Sequence, residues 1–358
     1  MKKIFIFLIA LIIAVPFYGQ SDDVHIQNLM KEGTRLHDEG NYDGAIAKYN
    51  EVLALKPNYA SAIYEISFSL YAKKDYKGAE KYSKELIDGN YDVNFQRVAY
   101  NQLGSIYDDW GKHKDAIKIY KQGLEKFPDF ALMHFNLALT YSRENETEKS
   151  LEEVSKALEL NLFHPGSNHL LSKLMAQKGK RVQAILPLYV SLFANPSSPY
   201  AEEDAKMLIN LVFSGVSKDQ TSSSSDKDKV TVTVNLSPNS LENSGGNDNF
   251  SSVNTMLLLN AAARYAKEFK DMSDAAFFSL NTTDVLFESI AETGSTYSKL
   301  WQNYVDFVKK VAKSGNSEAF SYYIIQSAYP KECSEWENKN KDKFNKFASW
   351  VKEEFGAE

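Results

Sequence analysis

A step of about 34 residues runs through the first half of the chain and constrains its fold more than any other feature. Ala45 is followed at steps of 34, 37, 34 and 34 residues by Ala79, Ala116, Ser150 and Ala184. Three other columns move in phase: Gly33, Ser67, Gly104, Ala138 and Ser172; Tyr49, Ser83, Tyr120, Val154 and Leu188; and Pro57, Tyr91, Pro128, Leu162 and Pro196. Within one period, Glu39 to Asn58 reads as two helical pieces around a turn at Gly40, closed by Pro57. Self-similarity at a fixed period means an array of supersecondary units, each of which can bury its apolar face only against its neighbours. Five units share the frame, each a helix A, a turn and a helix B.

At these residues the chain resembles the tetratricopeptide repeat family, over about residues 26–198. The resemblance implies an all-α superhelix of helix–turn–helix units. Small residues such as Gly33, Ala138, Ala45 and Ala116 stand where two helices cross, and Tyr49 and Tyr120 fill the space between units. Units one and three fit best. Unit four has Leu162 in place of proline, and unit five carries Pro187 inside helix B, where a proline is expected to kink or shorten it. A further helix over about 200–213, "YAEEDAKMLINLVF", opens on Pro199 and acidic residues and is the candidate cap for a repeat domain spanning 26–215.

The N-terminus has a different pattern. Lys2 and Lys3 precede twelve apolar residues, Ile4 to Val15, and then Pro16 and a polar turn. This is the layout of a secretory signal, too short to span a bilayer, so residues 1–19 are expected to be removed after Gly19. Bulky Phe17 lies beside that site, and no cysteine is present there for a lipid anchor. Localisation follows as periplasmic, envelope-associated or secreted. The single cysteine, Cys333, cannot form an internal disulfide, so apolar packing must hold the fold together.

Beyond the repeats, residues 216–250 are rich in Ser, Asp and Asn and read as a flexible linker. Inside it, Val230, Val232, Val234 and Leu236 alternate with polar residues, so a strand is expected over 230–236. The sequence offers it no evident partner; it can pair with an unrecognised segment, dock on its own helices, or add to another protein's sheet. Residues 251–358 return to helical spacing and read as a helical domain with its own core, with Trp301, Tyr304, Phe307, Val308 and Val311 on one face. No family is recognised in it.

A net charge of −6, with lysines interleaved among acids, argues against a nucleic-acid surface. No phosphate-binding glycine loop or H-E-x-x-H helix occurs. His164 and His169, five apart across a turn, lack metal-ligand spacing, and no catalytic residue, cofactor or metal site is assigned. What remains is a groove. In the resembled family, set positions of helix A line the concave side of the array, and here they hold Tyr64, Phe68 and Tyr71; Asn101, Ser105 and Asp108; and Leu132, Phe135, Leu139 and Ser142. The lysine–asparagine set with which some members grip a C-terminal carboxylate is missing. An apolar ridge with a few polar groups suits a peptide or protein partner. The first reading is therefore an exported, non-enzymatic interaction scaffold. The alternatives are a catalytic or small-ligand-binding C-terminal domain, with Glu288, Asp306, Glu318 or Cys333 in its site, and self-association through the repeats.

Overall fold

A computed structural model describes residues 18–218, 232–234, 249–265, 269, 271–292 and 297–356. It divides into two compact units that part between Phe127 and Pro128. Residues 1–17 of the expected signal segment, the serine tract and most of the following polar loop lie outside the described residues.

The first unit holds three helix pairs: α1 (Tyr18–Asp38) with α2 (Tyr42–Leu55), α3 (Ala60–Ala72) with α4 (Tyr76–Asp88), and α5 (Val93–Asp109) with α6 (His113–Lys126). The B helices start on polar caps where the sequence supplies them: the side chains of Asn41 and Asp75 accept from the amides of Gly44 and Gly78. Each A–B turn needs one left-handed residue. The residues that take it are Gly40 (φ +77°), Lys74 (φ +67°) and Gly111 (φ +77°), again in repeat phase.

How each A helix meets its own B helix depends on matched residue size. Where helix A has a glycine, helix B lays a tyrosine on it: a Cβ added at Gly33 would lie 2.4 Å from the Tyr49 ring, and one at Gly104 2.2 Å from that of Tyr120. Where helix A has Ser67, helix B has Ser83 instead, and the two hydroxyls are 2.8 Å apart, with Ser67 also donating to the Ala79 carbonyl. The tyrosine expected to fill the space between units thus rests first on the glycine of its own unit.

The second unit opens with two more pairs, α7 (Ala131–Arg143) with α8 (Thr147–Leu160) and α9 (Pro165–Gln177) with α10 (Arg181–Ala194). Asn145 and Gly179 take the left-handed turn position here. The A–B crossings are again matched, by Ser150 donating to the Ala138 carbonyl at 2.8 Å and Ser172 to that of Ala184 at 2.7 Å. Pro187 does not shorten α10, which keeps the 14 residues that α6 and α8 have. Eleven of those residues are buried, so packing holds the helix where propensity would end it.

The expected cap forms as α11 (Ala201–Phe213), with Glu202, Glu203, Lys206 and Asn210 exposed. Arg181 closes its last turn, donating from Nε to the Leu211 carbonyl and from Nη2 to that of Val212. Directly afterwards, β1 (Val216–Lys218) pairs antiparallel with β2 (Val232–Val234), with Val216 opposite Val234. The strand for which the sequence offered no partner therefore has one in the first residues assigned to the linker. Three residues are too few to show a period.

Among the described residues, seven α-helices follow: α12 (Ser251–Ala263), α13 (Asp274–Phe277), which continues through a π-helical turn (Phe278–Thr283) into α14 (Asp284–Glu292), then α15 (Lys299–Ser314), α16 (Ser317–Ile324), α17 (Pro330–Lys339) and α18 (Lys341–Phe355). The expected face of α15 is buried throughout. These helices do not close a core of their own. One apolar cluster runs from Phe135 on α7 through α10 and α11 to Phe347 on α18. Tyr189 and Phe193 of α10 meet Phe287, Phe307 and Phe320 at ring separations of 5.1 to 6.0 Å, and the Tyr304 hydroxyl donates to Asn168 of α9 at 2.5 Å. The cause is α10 itself. It has apolar residues on all sides and no face to give to solvent, so it must be enclosed.

Candidate partner-binding face

In the first unit, α3 presents Tyr64, Phe68 and Tyr71 at helical offsets on one side. Phe68 is 39% exposed, whereas Tyr64 and Tyr71 are half-buried. The Phe68 ring stacks nearly parallel to Tyr64, centroids 6.3 Å apart, and to His37 of α1 at 4.8 Å. The His37 Nδ1 is 2.8 Å from the Ser69 hydroxyl, and Tyr42 meets the imidazole edge-on at 5.2 Å. Four rings from three helices therefore form one half-exposed surface. Burial, then the neighbouring Glu65 carboxylate, pushes the Tyr64 phenol up.

A second aromatic row lies at the turn end of repeats two and three. The Tyr71 hydroxyl donates to Asp109 at 2.5 Å, its ring contacts Tyr76, and Tyr76 stacks on Trp110 at 5.9 Å. The Lys112 ammonium lies 3.2 Å from the centre of the Trp110 ring. On α5, Ser105 donates to the Asn101 carbonyl and lies 3.0 Å from the Tyr120 hydroxyl. Ser105 and Asn101 are half-buried. Asp108 is buried and lies 2.8 Å from the His113 Nδ1, which removes it from the surface.

In the second unit the expected groove residues diverge. Leu132 is 41% exposed, but Phe135 is only 7% exposed. Its ring meets the His164 imidazole edge-on at 4.7 Å and abuts Gly166, where a Cβ would come within 2.8 Å of it. Leu139 packs against the same core. Phe135 and Leu139 are thus fold-forming residues, because the start of α9 covers the first and the shared core holds the second.

Three segments match family models: residues 33–74 the TPR repeat, and 98–129 and 131–164 the tetratricopeptide repeat. The chain carries tetratricopeptide repeats. A TPR repeat-containing protein of Methanocaldococcus jannaschii is 27% identical over 133 residues, which span 37% of this chain and 23% of that relative. Similar solved structures include a thermophilic TPR protein of Thermus thermophilus, 21% identical, covering 51% of this chain and 99% of that one at a TM-score of 0.44. Pseudomonas aeruginosa PilF is 15% identical over 54% and 85% of the two chains, with a TM-score of 0.46. YrrB, a TPR protein with an unusual peptide-binding site, is 16% identical over 52% and 98%, with a TM-score of 0.37.

The polar residues beyond the TPR face have structural roles. His169 has no carboxylate close to it in sequence. It is buried on α9, with its Nδ1 2.6 Å from Asp204 Oδ1, and it stacks on Tyr200 at 4.6 Å. Asp204 is wholly buried, and its other oxygen accepts from Ser191 at 2.6 Å. With the serine on the carboxylate instead of the imidazole, the trio forms no nucleophile–base pair. It pins the cap helix α11 to the last repeat. His134 is buried too, its Nδ1 2.6 Å from Glu153 and its Nε2 2.9 Å from the Pro128 carbonyl. Burial alone would raise Glu153, but hydrogen bonds from His134 and Lys156 outweigh it and hold the carboxyl below its ordinary range. Sequence reasoning missed both pairs because their members lie 19 and 35 residues apart. The acid in each pair looked like one of many surface charges.

Of the C-terminal candidates, Glu288 and Asp306 are exposed. Glu318 accepts from the Trp336 indole at 2.9 Å and from Lys343 at 2.6 Å, joining α16 to the last two helices. Cys333 is buried, and its thiol is pushed up to about 12, first by that burial and then by Glu332. It lines a cleft of about 170 Å³ with Tyr322, Gln326 and Trp336. Among the described residues, no three His, Cys, Asp or Glu side chains converge on a metal site, and no helix is long and apolar enough to cross a membrane.

Proposed function

We propose that this chain is an exported, non-catalytic TPR scaffold that holds a peptide or protein partner on the open side of repeats one to three. The observation that carries the reading is the half-exposed ring surface of Phe68, Tyr64, His37 and Tyr42. Exposed apolar patches of this kind mark interfaces, and aromatic anchors tend to dominate their energetics. Tyr71, Asn101 and Ser105 extend the face with polar groups. The C-terminal helices serve the scaffold by enclosing α10. A catalytic or ligand-binding C-terminal half would require polar groups converging on the cleft beside Cys333, a thiol held protonated at neutral pH.

Export rests on the N-terminal charge and apolar pattern, and N-terminal sequencing of the protein recovered from cell fractions tests it. An N-terminus at Gln20 in an envelope or extracellular fraction supports export; an intact Met1 in the cytoplasmic fraction refutes it. Binding is tested with Phe68→Glu, a change at an exposed position that leaves the repeat core untouched. Loss of partner capture with an unchanged circular dichroism spectrum supports the face. Capture that survives refutes it. Sedimentation at two concentrations separates a self-associating chain from a monomeric binder.

A further inference from the structure

The charges around the exposed rings identify the kind of partner, an inference that rests on the binding face proposed above. Two ring residues of the stack are each followed by a carboxylate: Asp38 comes directly after His37 on α1, and Glu65 directly after Tyr64 on α3. Among the described residues neither has an ion pair or hydrogen bond, whereas nearby acids do. Glu39 is bound by Arg35 at 2.6 Å and Asp43 by Lys73 at 2.5 Å. Asp38 is exposed and lines an open cleft along α1 with Lys31, Thr34 and the Arg35–Glu39 pair. Lys31, the remaining cation there, stands two turns away from Asp38, about 10 Å along the helix axis. Glu65 is half-buried. Partial burial and then Asp38 push its carboxyl up, and among the described residues no lysine or arginine pairs with it. Two carboxylates that repel each other and have no counter-ion among the described residues are a cost to the free protein that an incoming cation would relieve.

We propose that the face of α1 and α3 selects a cationic, extended peptide, with a lysine or arginine stem lying on Phe68 and its charged head between Asp38 and Glu65. Aromatic faces attract such heads and cover the apolar stem, and complementary charge supplies selectivity.

The test uses the purified protein and three fluorescent 12-residue peptides that alternate leucine with lysine, glutamate or serine, read by anisotropy. The lysine peptide is expected to bind at least ten-fold tighter than the other two. It should weaken about ten-fold with Asp38→Asn plus Glu65→Gln, and not with the matched control Asp23→Asn plus Asp88→Asn. Both pairs are isosteric, and thermal melts verify folding. Equal binding of all three peptides that is lost with Phe68→Ser would overturn the charge selection and leave the face standing. Lysine-peptide binding that resists Asp38→Asn plus Glu65→Gln would also overturn the selection. Binding insensitive to Phe68→Ser would overturn the face as well.

Discussion

Replacing Gly104 by alanine tests whether matched residue size at the A–B crossing holds the repeats together. The new Cβ would lie 2.2 Å from Tyr120 Cε1 and 2.5 Å from Cδ1 and Cζ, so the ring must move by more than 1 Å to reach ordinary contact. Tyr120 is buried and cannot swing into solvent, and its hydroxyl is engaged with Ser105 at 3.0 Å. Overpacking a filled core costs about 1–3 kcal/mol, and loss of the hydroxyl's partner about 1 kcal/mol more. Alanine's better helix propensity returns about 1 kcal/mol. The net expectation is destabilisation by about 1–3 kcal/mol, read as a lowered urea midpoint by circular dichroism. Ser67 and Ser83 show what the crossing needs once the ring is gone. Tyr120→Ser alone should cost about 3–5 kcal/mol. The pair Gly104→Ser plus Tyr120→Ser should therefore cost less than the sum of its parts, by about 1–3 kcal/mol. If Gly104→Ala stabilises the protein, or the two serine changes are strictly additive, the size-matching argument is wrong.

Other consequences follow from the same structure. Lys74 is exposed and sits at the left-handed turn position that Gly40, Gly111 and Gly179 occupy elsewhere. Lys74→Gly should therefore stabilise the fold by about 0.5–1 kcal/mol, while Gly111→Ala, which meets open space, should destabilise it by about 1 kcal/mol through backbone strain alone; urea midpoints read both. Asp204→Ala leaves His169 and Ser191 buried without their acceptor and should destabilise the second unit by about 3–5 kcal/mol, exposing α11 to limited proteolysis. Because the folded Glu153 titrates below its ordinary value of 4.5, it adds stability above that pH and loses it as the pH falls through the lower, folded value. Glu153→Gln should accordingly flatten the acid limb of a stability–pH curve, and an unchanged limb would remove the argument.

The repeats were legible because close approach of two helices leaves a trace in residue size at a fixed interval. Gly33 with Tyr49 and Gly104 with Tyr120 stand out even without a structure, as does the cap helix with its acidic first turn. The partition of the second half was not legible. The helices from α14 to α18 carry amphipathic faces, and an amphipathic face does not say which surface will cover it. The signal lay in α10, which the repeat pattern marked as degenerate: "AILPLYVSLFA" has no polar side, and such a helix must be enclosed by something. The groove was half legible for a related reason. Tyr64 and Phe135 occupy the same repeat position in their helices, but Phe135 meets His164 and Gly166 at the start of α9, a contact that depends on where the next helix begins. Among the C-terminal helices, α17 carries a start signal in its sequence, Pro330 at its first position.

The most direct test of the central claim is affinity capture from the envelope of the source cells, with the wild-type protein and Phe68→Glu side by side and mass spectrometry as the readout. The account predicts a protein bound by the wild type and lost with the variant, while both proteins melt at the same temperature. Identical sets of captured proteins would contradict it and move the binding surface away from the first repeats.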